Sequence, residues 1–414
     1  MIEFAAALEL VERTATALPP RRQRLLDAAG GTLAVAVRAD CDSPPFDRAM
    51  MDGFAVRSAD MPGGEATVGL EVLADLTAGD VTQIPLRSGG CMRIMTGAPV
   101  PPGADAVVPI ESAVEGTGRA HAGSIVRLRE PGFRAGQHVA RRGAAFARGR
   151  EVVPAGAVLH PAAIGLAAEA GATHVFATAR PRVAILATGN ELVPPDTIPA
   201  HGQTRNSNGP MLVAAVACCG GEPIPLGIAG DRPEPLRAAI AQGLAADVLV
   251  LSGGVSAGDL DLVPDTLERL GVRQVFHKVR LKPGKPVWFG RLDRGPDAPP
   301  TLVFGLPGNP ASTLVCFELF VRPALAMLAG LPRDRWHLPR ERAVLAGAAK
   351  AAADRPVYLP ATIRSGPQGL RAEPLPFSGS SDLVGLAVAD ALLALPAGAG
   401  RLDAGAEVEV VRLR

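Results

Sequence analysis

Asp247 is followed by an unbroken apolar run, Val248-Leu249-Val250-Leu251, which stops at Ser252-Gly253-Gly254. A continuous run of this length predicts a strand buried on both faces, as in a parallel sheet. Small residues and the acids Asp259 and Asp261 come next, and a helical pattern then spans 262–270. In open α/β sheets the ligand sits beyond the carboxyl ends of the strands, so the loop 252–261 is the first place to expect a binding site. Its glycines let backbone N–H groups approach an anion, and the following helix N-terminus adds partial positive charge.

The same texture extends to both sides. Strands are expected at 183–187, 223–228, 248–251, 272–279, 287–289 and 302–305. Helices are expected at 209–219 (behind Asn206, Ser207 and Asn208 as caps), 233–243, 262–270 and 311–328, the last bent at Pro323. This alternation predicts a parallel sheet covered on both faces. Upstream, 2–18 and 21–30 read as helices broken by Pro19-Pro20, and 32–39 is strand-like. Short apolar runs at 54–56, 68–73, 91–95, 106–110 and 124–128, separated by Gly, Pro and Asp, predict a small all-β region. Further strands follow within 143–158, then a short helix at 161–171 closed by Gly171. Beyond Pro332 and Pro339, short strands at 343–345, 357–363, 370–374, 391–396 and 407–413 predict a terminal barrel or sandwich.

Composition narrows the class. A chain of 414 residues is long enough for about two to four domains. With 48% apolar and only 4% aromatic residues, the cores must be built from Ala, Val, Leu and Ile. A net charge of +1 gives no reason to expect nucleic acid or an anionic membrane as partner. Five cysteines, with no Cys-x-x-Cys pair, argue against a disulfide framework and for a reducing cytoplasm. The first 18 residues read as an amphipathic helix rather than a signal peptide, and no apolar run is long enough for a transmembrane span.

Four loops of the α/β region carry candidate chemistry: Thr188-Gly189-Asn190-Glu191, the loop 252–261, Lys282-Pro283-Gly284-Lys285-Pro286, and Gly305 through Pro310. Each joins a glycine to a polar or charged residue. Singly each reads equally as a turn; together they place lysines and acids in one crevice. Lys278, Arg280 and Lys282 alternate, so in an extended segment they share a face. That face suits a phosphate or other oxyanion, or else is a solvated strand edge guarded by charge. Asp261 is a metal or substrate ligand, or the N-cap of the following helix. Glu191 holds a cation or caps a turn, and Asp231 is at least equally a helix cap. Asp52 in Met51-Asp52-Gly53 and Asp105 in Gly103-Ala104-Asp105 read first as turn formers. No Walker-type phosphate loop, zinc-ligand spacing or Gly-x-Ser-x-Gly elbow occurs.

Taken in order, Met51–Ala55, Arg93–Pro99 with Gly103-Ala104-Asp105, Thr188–Leu192, Asn206–Asn208, Ser252–Gly258, Lys282–Pro286 and Gly305–Pro310 make a pattern that resembles the molybdopterin molybdenumtransferase family, the bacterial MoeA proteins and the gephyrin E domain. The resemblance runs from about residue 5 to the C-terminus. It implies a multidomain α/β and β fold. An elongated mixed N-terminal domain would comprise 1–45 and 141–176, with a β domain, 46–140, inserted into it. A central three-layer α/β molybdopterin-binding domain with a parallel-rich sheet would span 177–330, and a β-barrel 331–414.

The resemblance also implies a homodimer and a reaction. Adenylated molybdopterin and molybdate are the substrates, Mg²⁺ is the cation, molybdenum is placed on the dithiolene sulfurs, and AMP leaves. It implies catalytic roles for Asp52, Thr96, Glu191, Asp231, Asp261, Lys278 and Lys282, with Glu191, Asp231 and Asp261 as metal ligands. It implies molybdopterin binding by Thr188, Gly189, Ser252, Gly253, Gly254, Ser256, Gly258, Lys285, Pro307, Gly308, Asn309 and Pro310. The implied partners are the molybdopterin adenylyltransferase and apo-molybdoenzymes. One departure stands out: in Arg134–Val139, His138 occupies the place of a family aspartate. Arg48-Ala49-Met50 and Phe54 also depart, from Asn-Ser-Ala and Tyr. The alternative reading is a catalytically weakened paralogue that binds molybdopterin or acts as a scaffold. Molybdopterin adenylation, the work of a related single α/β domain, does not call for the three extra regions.

Overall fold

The computed structural model describes residues 1–62, 64–114, 120–255, 262–296, 298–367 and 369–413. The chain forms two compact units. One comprises Met1–Ala34, Gly156–His160 and Phe176–Arg414, the other Val35–Ala155 and Pro161–Val175.

The first unit is built on a six-stranded sheet. Its spatial order is Glu222–Ala229, Arg182–Thr188, Val248–Ser252, Thr301–Leu306, Trp288–Leu292, Arg273–His277. The first four strands are parallel; Trp288–Leu292 runs against them and Arg273–His277 against it in turn, so the sheet is parallel-rich rather than wholly parallel. The unbroken apolar run has a simple cause. Val248 and Val250 enter one core with the helix beginning at Pro310, while Leu249 and Leu251 enter a second core with Leu236, Ile240 and Leu267. Each face needs its own apolar side chains, and each fully buried one contributes about 1.5–3 kcal/mol. Register brings the carboxyl ends of the parallel strands level: Thr188 lies beside Ala229, Ala187 beside Ser252, and Ser252 beside Leu306.

The long apolar helix is less regular than expected. Pro310–Cys316 is α-helical, Phe317–Val321 widens into a π-turn, and Arg322–Leu328 resumes the α-helix. The irregularity thus precedes Pro323, whose missing N–H the wider turn accommodates. Pro310–Leu328 is long and apolar enough to cross a membrane, but 89% of it is buried in the core. The same unit contains a closed barrel of five strands, Arg340–Leu345, Gly369–Pro374, Val357–Gly366, Ala391–Leu395 and Glu407–Arg412.

Three sequence expectations are revised here. The segment 21–30 is not a helix: Pro20–Arg24 is a strand and turns follow it. The helix beginning at Phe4 ends at Thr14, and Gln23 donates its side-chain N–H to the carbonyls of Ala177 and Thr178. Prolines at 19 and 20 favour extended backbone, which outweighs the helical spacing downstream. Of 32–39, only Val37–Arg38 is a strand.

The second unit holds a five-stranded sheet in the order Ala106–Pro109, Gly53–Val56, Gly90–Ile94, Val68–Leu76, Ile125–Leu128. Phe54 and Val56 pack on one face, Ala55 and Met92 on the other. The helix Pro161–Glu169 lies in this unit, and Gly171 follows it at φ 88°, the left-handed close expected of a glycine.

Candidate functional site

The level strand ends of the α/β sheet set the site. After Thr188 comes Gly189 at φ 148°, where a Cβ would meet the Glu191 carboxylate. That carboxylate therefore folds back over the turn, and glycine is the residue that leaves room for it. After Ala229, Asp231 and Asn190 clasp one another: Asp231 N–H donates to Asn190 Oδ1 at 2.9 Å and Asn190 N–H to Asp231 Oδ2 at 3.3 Å. After Ser252, Gly253 and Gly254 both take positive φ, and a Cβ on Gly253 would strike the Thr188 carbonyl. Gly253 N–H donates to Leu306 O, which ties this turn to the fourth loop.

Asn208 joins the loops. Its Nδ2 donates to Ser252 Oγ and to Gly308 O, both at 2.7 Å. Both amide hydrogens are thereby fixed, and Oδ1 is buried with no hydrogen-bond partner among the described residues. The cap of the following helix is its neighbour Asn206, whose Oδ1 accepts from Gly209 N–H at 2.9 Å.

These loops surround a cavity of about 740 Å³ whose walls include Thr188, Gly189, Glu191, Gly253, Gly254 and Asp231. Asn208, Pro307, Gly308, Asn309 and Pro310 complete the side toward the long helix. Ser252 stands behind this wall through its bond to Asn208. A second cavity, about 640 Å³, adjoins it and shares Pro286, Pro307 and Asn309. Lys282 and Lys285 line it from the α/β side; Lys350, Arg355, Ser378 and Ser380 line it from the barrel. Among the described residues none of the three lysines forms an ion pair, so the bay is strongly cationic.

The barrel fixes the lysine loop directly. Lys282 N–H donates to Pro356 O at 3.0 Å, and Tyr358 N–H donates to Lys282 O at 2.8 Å. The barrel also closes the helix that begins at Pro310. The N–H groups of Ala311 and Ser312 donate to Ser380 O, and Asn309 Nδ2 donates to Ser380 Oγ at 2.8 Å. That helix N-terminus is therefore already capped by protein.

The expected shared face of Lys278, Arg280 and Lys282 does not form. Lys278 has φ 67°, so the strand breaks between His277 and Val279 and the alternation is lost. Arg280 pairs with Glu3 at 3.2 Å, and Lys278 lines neither cavity. The N-terminal strand holds this break in place, with Ile2 N–H donating to Lys278 O. Arg355, Lys350, Ser378 and Ser380 were missed by sequence reasoning. They lie beyond the α/β region, in the barrel part of the chain, with no local motif to mark them.

Ser256, Gly258 and Asp261 lie outside the described residues. Glu191 and Asp231 face one cavity, and two carboxylates among backbone carbonyls are the hard oxygen donors a magnesium ion takes. No group of three or more His, Cys, Asp or Glu side chains fit to hold a metal occurs among the described residues.

Asp52 and Thr96 belong to the second unit. Thr96 donates to Asp52 Oδ1 through its N–H at 2.7 Å and its hydroxyl at 2.6 Å. The Thr96 hydroxyl and then its amide hold the Asp52 carboxyl below the usual range. Asp105 makes a long-range tie rather than a local turn bond: Ser58 N–H and Oγ donate to its two oxygens at 2.7 and 2.6 Å. His138 has φ 54°, a left-handed conformation that Asp, Asn and His adopt more readily than most residues.

A glycine-lined, carboxylate-bearing crevice at the ends of parallel strands, walled on one side by a cationic barrel face, defines a binder of large anionic substrates. Family profiles sharpen this to proteins of molybdopterin metabolism: "MoeA N-terminal region (domain I and II)" matches residues 2–171, "Probable molybdopterin binding domain" 184–327, and "MoeA C-terminal region (domain IV)" 342–413. The chain belongs to the MoeA family of molybdopterin molybdenumtransferases. It is 38% identical over 309 residues to the molybdopterin molybdenumtransferase of a Nostoc species, covering 74% of this chain and 69% of that one. It is 33% identical over 393 residues to the Bacillus subtilis protein of the same name, covering 92% and 87%. A crystal structure of a molybdopterin biosynthesis MoeA protein from Pyrococcus horikoshii matches with a TM-score of 0.74 at 31% identity, covering 100% of this chain and 99% of that one.

Proposed function

We propose that this protein inserts molybdenum into adenylated molybdopterin, taking molybdate as the metal source and releasing AMP. The observation that carries the reading is the pair of adjoining cavities that share Pro286, Pro307 and Asn309. One offers glycine backbone and the carboxylates of Glu191 and Asp231. The other offers Lys282, Lys285, Lys350 and Arg355. A pterin phosphate joined to AMP fits the first in size and polarity; a tetrahedral dianion fits the second. Thr188, Gly189, Ser252, Gly253, Gly254, Pro307, Gly308, Asn309 and Pro310, with Ser256 and Gly258, are the residues assigned to the pterin substrate. Glu191 and Asp231, with Asp261, would hold Mg²⁺, which when bound offsets charge on the phosphoanhydride oxygens. Lys282 and Lys285 orient molybdate, and Lys278 is kept as a catalytic residue on the family pattern alone. Asp52 and Thr96 are assigned to catalysis on the same ground.

The reading includes a homodimer, a cytoplasmic location and the division 1–45 with 141–176, 46–140, 177–330 and 331–414. The molybdopterin adenylyltransferase would supply the substrate and apo-molybdoenzymes would receive the product. The test is AMP release from adenylated molybdopterin by the purified protein with Mg²⁺ and molybdate. Substrate binding without AMP release would refute it. A second reading, a molybdopterin-binding scaffold of weakened activity, is favoured by His138 alone, since imidazole cannot serve a hard cation as a carboxylate does. On that reading His138→Asp raises turnover; an unchanged rate beside an active wild type removes it.

A further inference from the structure

The cationic bay contains one charge of the wrong sign. Asp354 lies on its wall beside Arg355, among Lys282, Lys285 and Lys350. Its carboxylate grips the guanidinium side-on. Arg355 Nε donates to Oδ1 at 3.0 Å and to Oδ2 at 3.1 Å, and one terminal nitrogen donates to Oδ2 at 2.7 Å. This is the two-nitrogen edge with which an arginine takes an oxyanion bidentately. As a stabilising contact between sequence neighbours, with Asp354 half exposed, the pair counts for little. As an occupant of the bay it matters more. An arriving oxyanion must use the other edge of Arg355 or displace Asp354, and in either case it meets a negative charge close by.

The backbone that carries Arg355 is anchored to the lysine loop. The next residue, Pro356, accepts the Lys282 amide, and Tyr358 donates back to Lys282 O, so the two cationic segments are held in register. We propose that Asp354 is the resident counter-ion of Arg355 and sets both the affinity of the bay for a tetrahedral oxyanion and its preference for the charge of that anion. The inference rests on the reading of the second cavity as the molybdate site. It makes Asp354 a specificity-determining residue that weakens binding, in contrast to the lysines around it.

Charge gives the test. Perrhenate is a tetrahedral oxyanion of nearly the same size as molybdate but with one charge instead of two. Removing a nearby negative charge therefore aids molybdate by about the square of its effect on perrhenate. Calorimetric titration of the full chain with each anion is the measurement. Asp354→Asn is expected to tighten molybdate about three- to tenfold at low salt, and perrhenate by about two- to threefold. Both gains shrink as salt rises toward about 0.5 M, where the screening length is a few ångströms. Asp354→Glu, which keeps the charge, is expected to bind as the wild type does. Unchanged or weaker molybdate binding by a folded Asp354→Asn protein overturns the inference, as do equal gains for the two anions. Lys282→Ala separates the premises. If it binds molybdate as tightly as the wild type, or if the wild type binds none, the bay is not the oxyanion site and the inference falls with that reading. If Lys282→Ala loses binding while Asp354→Asn gains nothing, only the role of Asp354 falls.

Discussion

Thr96 gives both its amide and its hydroxyl to a single oxygen of Asp52, at 2.7 and 2.6 Å, leaving Oδ2 unclaimed by either. The carboxylate is thus oriented and kept ionised without being neutralised, the state required of a group that must accept a proton or a hydrogen bond. Thr96→Val removes the hydroxyl donor, so the Asp52 pKa should rise toward its ordinary value of 3.8. Because the folded pKa is depressed, the stabilisation is complete above the unfolded value and is lost as pH falls through the folded one. A carbon-detected NMR titration of the Asp52 carboxyl reads the shift; an identical titration in both proteins would contradict it.

Gly284 bears on the lysine loop. It has φ 119°, and a Cβ there would strike Cys316 Sγ on the long helix. Gly284→Ala should cost about 2–4 kcal/mol, combining backbone strain with a steric clash. Cys316→Ala in the same chain should return part of that loss by clearing the clash while leaving the strain. Urea denaturation of the two variants measures both.

Asn208 couples the second and fourth loops. Asn208→Ala breaks its bonds to Ser252 Oγ and Gly308 O, and should cost about 1–3 kcal/mol with the Ser252 hydroxyl left buried. The KM for the pterin substrate should rise more than kcat falls, because the loops no longer hold their spacing. A fall in kcat alone would place Asn208 in the chemistry instead.

Arg355→Ala should weaken molybdate binding by about tenfold or more, since a guanidinium in an anion site is a strong charge-assisted donor. Arg355→Lys should recover only part of it, having lost the planar fork. Isothermal titration with molybdate distinguishes the three proteins.

Thiol reactivity checks the packing independently. Burial raises Cys91 and Cys219 to about 12 and Cys316 higher still, while Cys41 is raised chiefly by its hydrogen bond with Asp40. At about pH 8, alkylation followed by mass spectrometry should find exposed Cys218 modified first and Cys41 more slowly. Cys91 and Cys316 should react only on unfolding, and half-buried Cys219 more slowly than Cys218.

The parallel strands and the loops beyond them were legible because burial on both faces forces an unbroken apolar run, and the run ends where glycine begins. Val248–Ser252 and Pro233–Gly243 fell within a residue of expectation for that reason. The lysine face was misread because nothing in the type of Lys278 announces a left-handed backbone; the N-terminal strand that holds it there is about 275 residues away in sequence. The same distance problem hid Arg355 and Ser380, whose roles arise where the barrel meets the α/β loops. Local signals foresaw the cavity lined by glycines and carboxylates, whereas the cationic one depends on long-range contact.

The exchange of backbone hydrogen bonds between Lys282 and the strand beginning at Val357 has a consequence for recombination. A fragment that ends before Arg340 keeps Glu191 and Asp231. It loses the Lys350 and Arg355 side chains, the backbone partners of Lys282 at Pro356 and Tyr358, and the Ser380 cap on the helix beginning at Pro310. Chimeras between relatives should therefore inherit the 278–287 loop and the 350–383 segment from one parent, since a crossover between them would join halves of two different cationic bays.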